Sequence, residues 1–129
     1  MTKYKFSAEF ELKASPKMLF PYISTASGLQ QWFASKVVVG SNQSMIFEWD
    51  GENHTARVVS VRQNKSVKYD FVPGGEDDDH NYLEFRLDQS DLTNSTFLKV
   101  TDYSNNDNED DLKALWDGLI DSLREVVGG

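Results

Sequence analysis

The sequence contains no cysteine and only two histidines among its 129 residues. Without cysteine there can be no disulfide, no thiolate metal site and no thiol nucleophile. Two histidines leave little for a hydrolytic triad, which needs a base oriented beside its nucleophile, and no Gly-x-Ser-x-Gly elbow is present. His80 follows Asp77, Asp78 and Asp79, but zinc sites take several nitrogen or sulfur ligands. Neither a metal nor any other cofactor is expected. Basic residues are also short, 13 Lys and Arg against 21 Asp and Glu, for a formal charge of −8. Nucleic acids and anionic membranes both need a basic patch, so neither is an expected partner. No apolar run approaches the roughly 18 residues of a membrane span, and the stretch from Met1 to Lys5 lacks the apolar core of a signal peptide. The cytoplasm is therefore the expected address, and the sequons at Asn42, Asn53, Asn64 and Asn94 read as chance matches.

What is present is ordered. The acidic excess lies in two runs, Glu76 to Asp79 and Asp107 to Asp111, and without those eight acids the two signs balance. From Lys3 to Lys13, Tyr4, Phe6, Ala8, Phe10 and Leu12 alternate with polar residues, which predicts a strand with one buried face. Ser15-Pro16 reads as a helix start, a capping hydroxyl before proline at the first helical position. A short helix follows to Ile23, a break spans Ser24 to Gly28, and a second short helix is predicted from Leu29 to Phe33. Strands are then expected over 36–39, 44–50, 54–62, 66–72, 82–88 and 96–103, with Asp50-Gly51 as a strong turn dipeptide. Strand parity between Val58 and Arg62 is ambiguous, so the inward or outward direction of Arg57 and Arg62 stays open.

The clearest signal is the last helix, expected over 106–127. On a helical wheel Leu112, Leu115, Trp116, Leu119, Ile120, Leu123, Val126 and Val127 fall within an arc of about 140°. The acids before it complement the helix macrodipole, each by about 0.3–1 kcal/mol, with Asn106 or Asp107 as the capping residue. The acids do not show the regular oxygen spacing and central glycine of a calcium loop. Gly118 on the polar side costs about 1 kcal/mol relative to alanine, a cost that a close approach or a bend would explain. The whole predicts one α+β domain over residues 1–129: a curved antiparallel sheet of about seven strands wrapped around a long C-terminal helix, with two short helices after the first strand.

Ser15-Pro16, the segment Gly28-Leu29-Gln30-Gln31-Trp32-Phe33, the paired strands from Val58 to Phe71, and Leu115-Trp116-Asp117-Gly118-Leu119-Ile120 together resemble the START-like helix-grip superfamily. That superfamily includes steroidogenic-acute-regulatory-related lipid-transfer domains, birch-pollen-allergen-like proteins and polyketide cyclases. The sequence is similar above all to the branch named after activators of the ninety-kilodalton heat-shock protein ATPase. The order of elements and the aromatic positions carry the likeness. It implies two short helices closing one end of a cavity between sheet and helix, where members commonly hold lipids or other apolar molecules. The sequence departs from the branch at Phe71, where tryptophan is frequent, and in the acidic stretch from Pro73 to Asn81.

Trp32, Phe33, Phe47, Trp49, Tyr69, Phe71, Phe85, Trp116 and Ile120 are the candidate ligand-binding residues. Taken singly, each is as well explained by ordinary core packing; taken together, a grip around a helix favours a cavity. No catalytic residue is assigned, since Glu48 lies on the strand face opposite Phe47 and Trp49, in solvent. Three functions compete. The first is a non-enzymatic domain holding a small apolar ligand. The second is a protein-interaction module of the chaperone-activator kind in stress response, monomeric or paired as a homodimer through a sheet edge or exposed strand face. The third is a cyclase-like enzyme, which requires an ionisable group projecting into the cavity.

Overall fold

The opening alternation becomes a strand, and the strand finds its partner at the far end of the chain. A computed structural model describes residues 3–41, 43–71 and 81–128. In it β1 (Tyr4–Leu12) is followed by α1 (Pro16–Ser24) and α2 (Ala26–Leu29). Then come β2 (Lys36–Val39), β3 (Ser44–Trp49), β4 (Glu52–Arg62), β5 (Ser66–Phe71), β6 (Asn81–Gln89), β7 (Thr96–Ser104) and α3 (Glu109–Val127). The strands form one seven-stranded sheet in the order β1-β7-β6-β5-β4-β3-β2. Every neighbouring pair is antiparallel. Strands β2 to β7 are a simple meander, and β1 closes the far side by pairing with β7 from Tyr4↔Ser104 to Leu12↔Thr96. The sheet curves around α3. The acidic run 76–79, the turn 73–75 and His80 lie outside the described residues.

Turn chemistry sets the registers. Asp50 and Gly51 both have positive φ, 51° and 79°, as a two-residue hairpin that follows the sheet's twist demands, and Trp49 pairs with Glu52 across it. The parity between Val58 and Arg62 was unreadable for a physical reason. The register shifts between Val58 and Ser60, so Val59 is an extra residue that reverses the alternation. Val58 faces Tyr69 before the bulge and Val61 faces Val67 after it. Arg57, opposite Asp70, and Arg62, opposite Ser66, both fall on the face away from α3.

The two short helices are joined more tightly than the sequence suggested. Ser15 caps α1 by accepting a hydrogen bond from the Met18 amide, with Pro16 next in line. The expected break through Ser24 to Gly28 shrinks to Thr25 alone. Its amide donates to the Pro21 carbonyl and ends α1, while its hydroxyl oxygen accepts from the Gly28 amide and starts α2. So α2 runs from Ala26 to Leu29, and the helix predicted over Leu29 to Phe33 is displaced toward the N-terminus, with residues 30–33 forming turns. Gly28 sits hard against α1: a Cβ there would lie 2.1 Å from the Pro21 carbonyl oxygen.

Helix α3 starts slightly later than predicted. Asn108, rather than Asn106 or Asp107, is the cap, its side-chain oxygen accepting from the Asp111 amide at 3.1 Å. Glu109, Asp110 and Asp111 occupy the first turn and Arg124 the last, each at the end of the dipole that favours it. Leu112, Trp116, Ile120 and Leu123 are buried against the sheet. Both helix ends are tied to β1: the Tyr4 hydroxyl donates to Glu109, and Arg124 donates to the Glu11 carbonyl at 2.9 Å. The hydrogen bond to Glu109 raises the Tyr4 phenol pKa. Leu115, expected in the buried stripe, is 53% exposed, because it lines the open cleft between α3 and the sheet.

Two glycine substitutions separate these environments. Around Gly118 no atom of the described residues lies within 4 Å of an added Cβ, so of the two explanations, close approach or bend, the first finds no support. Gly118→Ala should raise stability by about 1 kcal/mol through helix propensity. Gly28→Ala should destabilise by at least about 2 kcal/mol, because backbone must move. Urea midpoints of the two variants check the opposite signs.

Candidate functional site

The segment leaving α2 turns inward and places Phe33 at the centre of an aromatic network. Its ring lies 5.1 Å from Trp49, 5.6 Å from Phe47 and 5.9 Å from Phe85, all edge-on, and stacks on Trp116 at 5.7 Å. Trp32 joins through Phe33 and Phe85. Tyr69 and Phe71 join through Phe47. All eight aromatics singled out in the sequence are thus in one connected group, and Ile120 is buried in the same core.

They do not all face the same space. Between the sheet and α3 lies an open cleft of about 450 Å³, within the usual range for small-molecule sites, roughly 300–1,000 Å³. Phe33, Trp49, Phe71 and Trp116 line it. Trp32, Phe47, Tyr69, Phe85 and Ile120 are packed behind those walls, with little or no exposure. Two of these hold the short helices in place. The Trp32 indole donates to the Tyr22 carbonyl at 2.8 Å, and the Tyr69 hydroxyl to the Ile23 carbonyl at 2.6 Å. Burial pushes the Tyr69 phenol pKa up, so it stays a donor. Trp49, on the cleft side, donates to the Phe33 carbonyl at 2.8 Å.

Leu115 and Leu119 of α3 form the open flank, with Asp50 and His54 from the β3–β4 hairpin at the mouth. His54 stands opposite Phe47 in the register, hence on the α3 side. Its ring is 5.3 Å from that of Trp49, and its Nε2 lies 3.9 Å from Glu52. Solvent reaches both partners, so this contact adds little stability.

The residue that sequence reasoning missed is Asp102. In the register it sits between Phe6 of β1 and Leu83 of β6, both buried and both on the α3 side. It lines the cleft. The Trp116 indole donates to its Oδ2 at 3.0 Å, and among the described residues that is its one side-chain partner. Burial raises the Asp102 carboxyl pKa, partly opposed by the Trp116 N–H, which favours the carboxylate. The signal was available. Leu98, Val100 and Asp102 share one parity on β7, and the first two are buried. The inward side chains are therefore not wholly apolar. No group of three or more His, Asp or Glu able to hold a metal occurs among the described residues, and no helix among them is long and apolar enough to cross a membrane.

An antiparallel sheet curved around a C-terminal helix, with two short helices after the first strand and an aromatic cleft between the layers, defines a helix-grip domain. The chain belongs to the START-like superfamily, whose domain profile matches residues 1–129. It is similar to a Bacteroides fragilis protein, BfR322, at 33% identity over 98% of this chain and 92% of that one, with a TM-score of 0.65. The Aha1 dimer from Colwellia psychrerythraea shares the fold at 22% identity over 96% of each chain, with a TM-score of 0.75. DynU16, from the dynemicin biosynthetic locus, does so at 16% identity over 94% of this chain and 46% of its own, with a TM-score of 0.74. No curated protein matches the sequence.

The raised Asp102 pKa fixes the sign of a pH effect. Folding favours the protonated form, so the penalty is absent below the ordinary carboxyl value of 3.8. It appears as pH rises and is complete above the folded-state pKa. Asp102→Asn, which keeps an acceptor for Trp116, should melt higher than the parent at about pH 7 and equal it near pH 3. Paired melting curves at the two pH values measure this, and a gap that widens in acid would contradict it.

Proposed function

We propose that this chain is a non-enzymatic START-like binding domain that holds a small, largely apolar ligand in the cleft between the sheet and α3. The observation that carries the reading is the cleft itself, walled by Phe33, Trp49, Phe71 and Trp116. Sites for small molecules combine such concave apolar surface with a few polar groups that set orientation. Trp32, Phe47, Tyr69, Phe85 and Ile120 serve behind the wall rather than in it. General acid–base chemistry is less well supported, because among the described residues the carboxylate of Asp102 is hydrogen-bonded to an indole and not to a second titratable group. Melting curves with a panel of lipids and polyaromatic molecules test the reading. A ligand at a hundred times its Kd adds about 2.7 kcal/mol to stability, which amounts to a rise of several degrees. Leu119→Trp, which fills the open flank, should remove the rise without lowering the ligand-free melting temperature by more than a few degrees. A flat response across the panel, or an unchanged rise in that variant, would count against the cleft as a binding site.

A second reading rests on a different surface. Val39, Val59 and Val61 are exposed, and with Met45 and Val58 they surround a hollow of about 430 Å³ near the β2 edge of the sheet. The Colwellia neighbour is described as a dimer. We infer a homodimer joined through this valine surface, compatible with the first reading because it lies on other residues. Sedimentation velocity at micromolar concentration should show a dimer for the parent and a monomer for the Val59→Lys, Val61→Lys double variant. A parent that sediments as a monomer ends this reading.

A further inference from the structure

The cleft contains a carboxylate that no cationic side chain pairs with among the described residues. Asp102 and, at the mouth, Asp50 both line it, and no lysine or arginine does so among the described residues. The nearest basic groups are engaged elsewhere: His54 lies beside Glu52 at 3.9 Å, and the Lys3 ammonium donates to the lining Asn81 at 2.7 Å and sits over the Tyr103 ring. The Trp116 indole holds Oδ2 in place but is neutral. The same ring stacks on Phe33 at 5.7 Å, and both belong to the cleft wall. A carboxylate fixed beside aromatic surface offers a cation two attractions at once, an ion pair and the negative face of a ring within about 6 Å. A second carboxylate at the entrance adds long-range attraction of the same sign.

We propose, resting on the reading of the cleft as a ligand site, that its ligand is an amine, an apolar body carrying a protonated nitrogen that pairs with Asp102. Three features converge on this class. The walls take an apolar or aromatic body. The one acidic side chain on the buried strand face at Leu98, Val100 and Asp102 accepts a hydrogen bond and donates none when ionised. Among the described residues no lysine, arginine or histidine pairs with Asp102, whose side-chain partner is the neutral Trp116 indole. The desolvation that pushes the Asp102 pKa up is a cost the free protein already bears. A ligand that supplies the missing positive charge relieves that cost, whereas an anionic ligand would deepen it.

The test holds the apolar body constant and changes only the polar group. Binding of 2-methylnaphthalene, 2-naphthylmethanol, 2-naphthylmethylamine and 2-naphthoate is measured by calorimetry on the parent and on Asp102→Asn. The parent should bind the amine about tenfold more tightly than the alcohol, the ratio one charge-assisted hydrogen bond supplies. The naphthoate should bind weakest. In Asp102→Asn the amine and the alcohol should come within about twofold of each other, with the hydrocarbon unchanged. If the hydrocarbon binds but the amine gains nothing over the alcohol, the amine assignment falls and the cleft reading stands. If none of the four binds, both fall. An amine preference that survives in Asp102→Asn overturns the role of Asp102. The comparison among ligands on the parent protein decides the matter even if the variant does not fold.

Discussion

The docking of α3 onto the sheet is the constraint from which the other features follow. Trp116 lies at the middle of that contact, stacked on Phe33, edge-on to Phe85 at 6.0 Å and hydrogen-bonded to Asp102. Its burial joins the helix to β6, β7 and the segment after α2 in one place. The ends are held separately, by Tyr4 at Glu109 and by Arg124 at the Glu11 carbonyl. A helix fixed at both ends to β1 and at its centre to β7 covers one side of a seven-stranded sheet and leaves part of the other uncovered. The short helices cover one end of the remainder, through Trp32 and Tyr69. What they leave is the cleft, and Leu115 is exposed because it borders it.

The architecture was legible where a single period ran without interruption. The alternation from Tyr4 to Leu12 and the stripe of Leu112, Trp116, Ile120 and Leu123 both became what their spacing predicted, since burial on one face is all that each pattern encodes. The misreadings have local causes. One inserted residue, Val59, inverted the parity of a strand, and a bulge leaves no compositional mark when every neighbour is β-branched. Thr25 caps two helices at once, which spacing arguments treat as a five-residue break. Leu115 has a core residue's chemistry but borders the open cleft, and that is tertiary information.

The candidate site was half legible for a similar reason. Aromatic content identified the group of residues that meet, but not which of them face open space. That depends on where the sheet ends relative to the helix. Asp102 was overlooked because an acid near the end of a strand resembles a surface residue. Its parity with Leu98 and Val100 argued otherwise. A position where local chemistry conflicts with the buried face it occupies is where function or strain is expected, because folding alone would have favoured an apolar residue there.

An apolar cleft of this size should tend to collapse, since unfilled space forfeits dispersion contacts along its walls. The walls here have little freedom to do so. Trp49 is held by its hydrogen bond to the Phe33 carbonyl, Trp116 by Asp102, and Phe33 by five ring contacts. The two tryptophan rings cannot turn into the void without giving up a part-buried hydrogen bond, a loss of about 1 kcal/mol each. Flexible aliphatic side chains of equal volume would carry no such penalty. The polar atoms of the aromatic residues therefore do more than satisfy themselves: they keep the space between sheet and helix open.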